Sequence, residues 1–93
     1  RGTQTKMILS MTYLRHRVIE GLREYLALNK GVYIDPFMTY DPATLDYVIM
    51  LPDRRDTLVK VKAAGVYNID EDVLAFNIME CVIAEWLNGK IKF

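Results

Sequence analysis

Residues 70–89 constrain the fold most, because they predict a helix whose apolar arc is wider than a surface helix needs. At about 100° per residue, its apolar side chains sweep about 180° of the helix surface, whereas an ordinary surface helix buries an arc of little more than about 100°. These side chains are Phe76, Ile78, Met79, Val82, Ile83, Trp86 and Leu87. We therefore expect a broad surface to cover the arc: a sheet, a second helix or another subunit.

A first helix is predicted over residues 7–29, where apolar residues recur at spacings of three and four. This stripe consists of Met7, Met11, Leu14, Val18, Leu22, Tyr25 and Leu26. Gly21 lies beside the stripe, and its cost within a helix indicates a close approach by the second helix or by a partner chain. Residues 1–6 are expected to be a flexible tail or a remnant of expression.

Arg15 falls inside the apolar stripe of this first helix. Its aliphatic stem can lie along apolar surface while its charged head reaches water. The alternative is an interface arginine that binds a carboxylate of a partner or of the middle segment of the chain.

The middle of the chain alternates in the way that strands do. Residues 45–51 predict a central strand, and residues 57–64 predict a second strand that pairs with it as an antiparallel hairpin. Residues 32–34 and 90–93 favour two further short strands. Residues 35–44 are expected to form a loop that displays Phe37, Met38 and Tyr40, with one helical turn after Asp41.

These elements predict an α+β fold with the order α-β-β-β-α. We expect a small, mostly antiparallel three-stranded sheet with both helices packed on one face. The chain has 93 residues, which suits one domain over residues 7–93.

Composition excludes several classes of function. Twelve basic and twelve acidic residues cancel, which argues against a general polyanion binder. The single cysteine, Cys81, rules out an internal disulfide and suits a reducing compartment, so a cytoplasmic location is expected. No apolar run approaches the ~20 residues of a membrane span, so no membrane partner is expected.

Catalytic signals are weak. Ser10 and His16 are the only serine and the only histidine, and their spacing on one helix points them about 120° apart. No glycine-rich phosphate loop is present. The acidic run of residues 70–72 suits the start of a helix better than a metal site. We therefore expect no enzymatic activity, no cofactor and no metal.

A nucleic-acid-binding module is the alternative. The order of elements is similar to that of the double-stranded RNA-binding domain, a family with a lysine cluster at the start of its last helix. This chain carries Asp70, Glu71 and Asp72 there. The remaining candidate contacts lie on the hairpin and are Arg54, Arg55, Lys60 and Lys62.

The preferred hypothesis is a non-enzymatic interaction or assembly subunit that associates with itself, of an adaptor, regulatory or viral structural type. The order of elements is also similar to that of small phage tail-completion and minor tail subunits, which form ring oligomers. The apolar surface predicted here exceeds what one small domain hides. The first-choice contact surface is the sheet face away from the helices, around Tyr47, Ile49 and Leu51, and the sequence leaves open which of the two alternating sets faces outward. The second choice is the aromatic loop with Phe37, Met38 and Tyr40, and Arg15 is a further candidate contact.

Overall fold

The computed structural model describes residues 2–52, 56–89 and 91, with residues 2–10 as backbone alone. It confirms the α+β class. The described chain contains a three-stranded antiparallel sheet and three helices. The elements are α1 (Gly2–Lys30), β1 (Phe37–Asp41), β2 (Asp46–Leu51), β3 (Thr57–Lys62), α2 (Ala63–Val66) and α3 (Glu71–Leu87).

Helix α1 buries the predicted stripe. Leu14, Val18, Leu22 and Leu26 are all buried, at intervals of four residues. The helix begins at Gly2, so residues 2–6, which the sequence assigned to a tail, continue its backbone. It ends before Gly31, whose φ of 65° is a left-handed conformation that glycine adopts without strain.

Helix α3 begins as predicted at Asp70, whose side chain accepts hydrogen bonds from the backbone N–H groups of Asp72 and Val73. One side of its apolar arc is covered, because Ile78 and Val82 lie in the core. At the opposite side of the arc, Phe76 and Leu87 are 56% and 65% exposed.

The two long helices approach closely at Gly21, as the sequence predicted. A Cβ atom built on Gly21 would lie 2.5 Å from both Sδ and Cε of Met79. The missing side chain thus makes room for a methionine of α3, which offsets the cost of glycine within α1.

The sheet has the order β1-β2-β3, so β2 is central. Met38 pairs with Ile49, and Ile49 pairs with Val59. These three side chains belong to the core, together with side chains of α1 and α3. Both long helices therefore pack on the same face of the sheet.

Of three local predictions, two are wrong and one is confirmed. Residues 32–34 form no strand; the first strand is β1, within the segment expected to be a loop, where pairing with β2 overrides the turn signals of the two flanking prolines. The helical turn predicted after Asp41 is confirmed: residues 42–45 form one turn, in which the backbone N–H of Leu45 donates to the Asp41 carbonyl at 2.8 Å and the Asp41 side chain accepts a hydrogen bond from the backbone N–H of Ala43. Residues 63–64 belong to α2 and not to β3.

The strand predicted over residues 90–93 lies outside the described residues except for Ile91. The structure places Ile91 in the core at 2% exposure, at a bend of the backbone. This side chain adds to the apolar layer that the two long helices share with the sheet.

Candidate functional site

Among the residues that the structure describes, no helix packs on the second face of the sheet. Because side chains alternate along a strand, the residues that do not face α1 and α3 form a second set. We call this set the open face. It consists of Phe37, Thr39 and Asp41 of β1, Asp46, Val48 and Met50 of β2, and Leu58, Lys60 and Lys62 of β3.

At one end of the open face, three apolar side chains form a continuous row across the strands. Phe37 pairs with Met50, and Met50 pairs with Leu58. Their exposed fractions are 50%, 44% and 52%, respectively. We call these three residues the apolar row. Large apolar side chains that are half in water and directly adjacent mark a surface that gains free energy when it is covered.

The opposite end of the open face is charged. Asp41 pairs with Asp46, and Asp46 pairs with Lys62. The Lys62 ammonium lies 3.4 Å from the Asp46 carboxylate and donates to the backbone carbonyl of Thr44 at 3.2 Å. Within the described part of the chain, no basic group pairs with Asp41. The face is therefore acidic at the β1 side and basic at the β3 side.

The predicted first-choice surface is wrong for Ile49 and Leu51, which are fully buried. Met38 of the predicted second-choice surface is also fully buried. The reason is the same for all three: α1 and α3 cover the alternate set to which they belong. On β2 the exposed apolar side chain is Met50, one residue from Ile49, because a shift of one residue along a strand reverses the face.

The two tyrosines of the predicted surface lie on the covered side of the sheet. Tyr40 pairs with Tyr47, and their rings are 5.3 Å apart at an angle of 56°. Both are partly buried, and burial followed by the charge of Tyr40 raises the pKa of the Tyr47 hydroxyl. Of the predicted aromatic segment, Phe37 is the residue that stays on the open face.

Arg15 extends from α1 to the edge strand β1. Its Nε donates to the Met38 carbonyl at 2.8 Å, and its guanidinium lies 5.8 Å from the centre of the Phe37 ring. Arg15 therefore reaches the middle segment of the chain, as the second of its two predicted roles expected. It contacts a backbone carbonyl and an aromatic ring there instead of a carboxylate. Arg15 stabilises the sheet edge and orients one member of the apolar row.

The alternative nucleic-acid residues divide into two pairs. Arg54 and Arg55 lie outside the described residues. Lys60 and Lys62 are exposed on the open face, but Lys62 binds Asp46 and the carboxylate of Asp41 lies in the same row. Among the described side chains, the open face is therefore mixed in charge, which weakens phosphate binding.

A polar cluster joins α1 to α3 on the side away from the sheet. The Tyr13 hydroxyl donates to Asp72 at 2.7 Å, and Arg17 Nε donates to the same carboxylate at 3.0 Å. The hydrogen bond from Tyr13, with the charge of Arg17, holds the pKa of Asp72 below its usual value, against the opposing effect of burial. The hydrogen bond to Asp72 in turn raises the pKa of Tyr13. These groups fix the helix pair, and Arg17 and Asp72 line one side of an open groove of about 380 Å³ between α1 and α3.

Cys81 lies in a shallow groove of about 260 Å³ between β3 and α3. Burial, with the nearby charges of Glu80 and Glu85, raises the pKa of its thiol. A raised pKa keeps the sulfur protonated at neutral pH, the opposite of what an activated nucleophile needs.

The described residues contain neither a cluster of metal-binding side chains nor a membrane-spanning helix. No group of three His, Cys, Asp or Glu side chains lies close enough together there to hold a metal ion. No helix of that part of the chain is both long and apolar enough to cross a membrane.

Sequence reasoning missed Met50 and Leu58. A signal was present, since Val59 and Val61 alternate with Leu58, Lys60 and Lys62 in β3. A strand whose lysines face water must also expose the leucine of the same parity.

Comparison of the chain with models of known protein families, with curated proteins and with solved structures gives no match.

Proposed function

We propose that this chain is a non-enzymatic assembly subunit that binds other copies of itself through the open face. The observation that carries the proposal is the apolar row. Phe37, Met50 and Leu58 lie side by side across three strands and are about half exposed. Contact with the open face of a second copy can remove these side chains from water, and the polar end of the face keeps the monomer soluble.

The size of the face limits the strength of the association. Strands about 4.8 Å apart, with a rise of about 3.4 Å per residue, give a three-stranded face of roughly 300 Å². Stable interfaces bury about 800 Å² on each partner. We therefore expect a weak, reversible self-association that depends on protein concentration, as in an adaptor, regulatory or viral structural subunit.

The proposal includes a reducing compartment, such as the cytoplasm, because the sole cysteine is free and partly buried. It includes no cofactor and no second class of partner. The raised pKa of the Cys81 thiol and the mixed charge of the open face support this choice over catalysis and over phosphate binding.

Sedimentation velocity over a wide range of protein concentration tests the proposal. The wild-type chain should move from the monomer mass of 10.8 kDa towards larger species as the concentration rises. The variant Leu58→Lys places a charge in the apolar row and should weaken association at least tenfold. Because Leu58 is 52% exposed, the substitution leaves the core intact.

Leu87→Lys is the matched control. It makes the same substitution at a leucine that is 65% exposed on α3, away from the sheet. This variant should associate like the wild type. A wild-type chain that stays monomeric at millimolar concentration contradicts the proposal, and so does an equal effect of the two variants.

A further inference from the structure

We infer that two copies pack open face to open face about a twofold axis parallel to β2, so that β1 of each copy lies over β3 of the other. The inference rests on the proposed self-association and adds the orientation of the second copy. Its basis is the pattern of apolar and charged residues on the open face.

A twofold axis along β2 keeps each row of the open face opposite the same row of the other copy. Rotation exchanges the two outer strands but leaves the position along each strand unchanged. Phe37 then meets the partner's Leu58, and Met50 meets the partner's Met50. Both apolar rows are buried against each other at the ~10 Å spacing of packed sheets.

The charges at the two edges of the face match in the same arrangement, while the Asp46 carboxylates face each other across the axis, each 6% exposed and bound by the Lys62 of its own chain. Asp41, at the acidic side, lies over the partner's Lys62, and Lys62 lies over the partner's Asp41. Among the described residues Asp41 has no basic partner within its own chain, and Lys62 is 72% exposed in its side chain. The two symmetry-related contacts give each unpaired carboxylate a cation.

The other face-to-face arrangement has its twofold axis across the strands, and the residue pattern opposes it. Rotation about that axis places the apolar row over the charged row. Phe37 would meet the partner's Asp41, and Leu58 would meet the partner's Lys62. Each contact would cover a charge with an apolar group and leave the charge without a partner, which is costly.

Thr39 distinguishes the two axes because it lies in the middle row of the open face. In this row Thr39 pairs with Val48, and Val48 pairs with Lys60. With the axis along β2, Thr39 lies over the partner's Lys60. With the axis across the strands, Thr39 lies over the partner's Thr39. A negative charge at position 39 is therefore attracted by the partner's Lys60 in the first case and repelled by the same charge at position 39 of the partner in the second.

The test compares Thr39→Glu with Thr39→Lys by sedimentation equilibrium at low salt, with thermal unfolding to confirm that both variants fold. Thr39→Glu should tighten self-association about threefold to tenfold through two exposed ion pairs, and Thr39→Lys should weaken it by a similar factor. Adding Lys60→Glu should reverse both effects, since the partner's residue 60 then carries the opposite charge.

The outcomes separate the two proposals. A wild-type chain that never associates overturns the proposed function and this inference with it. Association that both Thr39 variants weaken equally overturns the axis along β2 and leaves the function standing. Association that ignores both variants but is lost on Leu58→Lys also overturns the axis, because residue 39 would then lie outside the contact.

Discussion

The two faces of the sheet are built from the same three strands, yet they differ sharply in burial. On the covered face, Ile49 is fully buried beneath both long helices. On the open face, its neighbour Met50 is 44% exposed between Phe37 and Leu58. Side chains of similar hydrophobicity thus stabilise the monomer on one face and are available to a second copy on the other.

The difference shows that the sequence of β2 alone does not decide which of its apolar sets becomes core. Strand β2 is apolar on both faces, so either set could have met α1 and α3. The helices take the set that includes Leu51, and the apolar residues of the opposite set remain partly exposed. The monomer therefore does not gain the free energy that burial of the apolar side chains of the open face would release.

The sharpest way to break this comparison is to truncate neighbouring residues on the two faces. Ile49→Ala should lower the free energy of unfolding by about 2–5 kcal/mol, because it leaves a cavity in the core. Met50→Ala should change it by less than about 1 kcal/mol. Urea unfolding at a concentration where the chain is monomeric measures both values.

In self-association the order of the two effects should be reversed, with Met50→Ala weakening the association more than Ile49→Ala. Met50→Ala removes a member of the apolar row and should raise the dissociation constant, which sedimentation reports. Similar losses of monomer stability for the two variants would show that the two faces are equally covered, and the comparison would fail.

A second prediction concerns the helix layer that covers the first face. In the wild type, Gly21→Ala should bring no gain in stability, because the added Cβ displaces the end of Met79. In a Met79→Ala background the same change should stabilise the chain by about 1 kcal/mol, the helix preference of alanine over glycine.

Chemical denaturation of the four chains of this cycle gives the coupling between the two sites. Equal effects of Gly21→Ala in both backgrounds would mean that the helices do not meet closely there. The covered face would then owe its burial to other contacts.

The smallest expected effect is a pH dependence of the helix pair. The pKa of Asp72 is lowered in the folded chain, so its contribution is present above the usual value of 3.8 and is lost as pH falls through the lowered pKa. The pKa of Tyr13 is raised, so its contribution is present below the usual value of 10.0 and is lost as pH rises through the raised pKa.

Asp72→Asn should flatten the profile of stability against pH at both ends, as measured by thermal unfolding from acid to alkaline buffer. Tyr13→Phe keeps the contact of Arg17 with Asp72, so it should remove the contribution of Tyr13 to the alkaline slope, leave those of Tyr47 and Cys81, and reduce the acid slope. Unchanged acid and alkaline slopes in Asp72→Asn would show that these groups titrate alike in the folded and unfolded chain.

The sequence was sufficient for the elements whose signals are local. The stripe of α1, the cap at Asp70 and the alternation of β3 each depend on residues a few positions apart, and each prediction agrees with the structure. The close approach at Gly21 was also predictable, because a glycine within a helix needs a packing reason.

The orientation of β2 was not predictable in the same way. Its burial depends on where α1 and α3 pack, which is a long-range choice between two nearly equivalent faces. For this reason Ile49 and Leu51 were placed on the wrong side. Strand β1 was missed because its short, mixed sequence gains its regular structure from pairing with β2.

The contact from Arg15 to the Met38 carbonyl has a consequence for how such molecules fail. A strand at the margin of a sheet invites another extended chain to add alongside it, which is the first step towards fibres. Here a guanidinium already engages that margin while its charge repels an approaching copy of itself. Addition of a strand is thereby discouraged at the β1 edge, and the twofold contact proposed for the open face would end assembly at a closed pair.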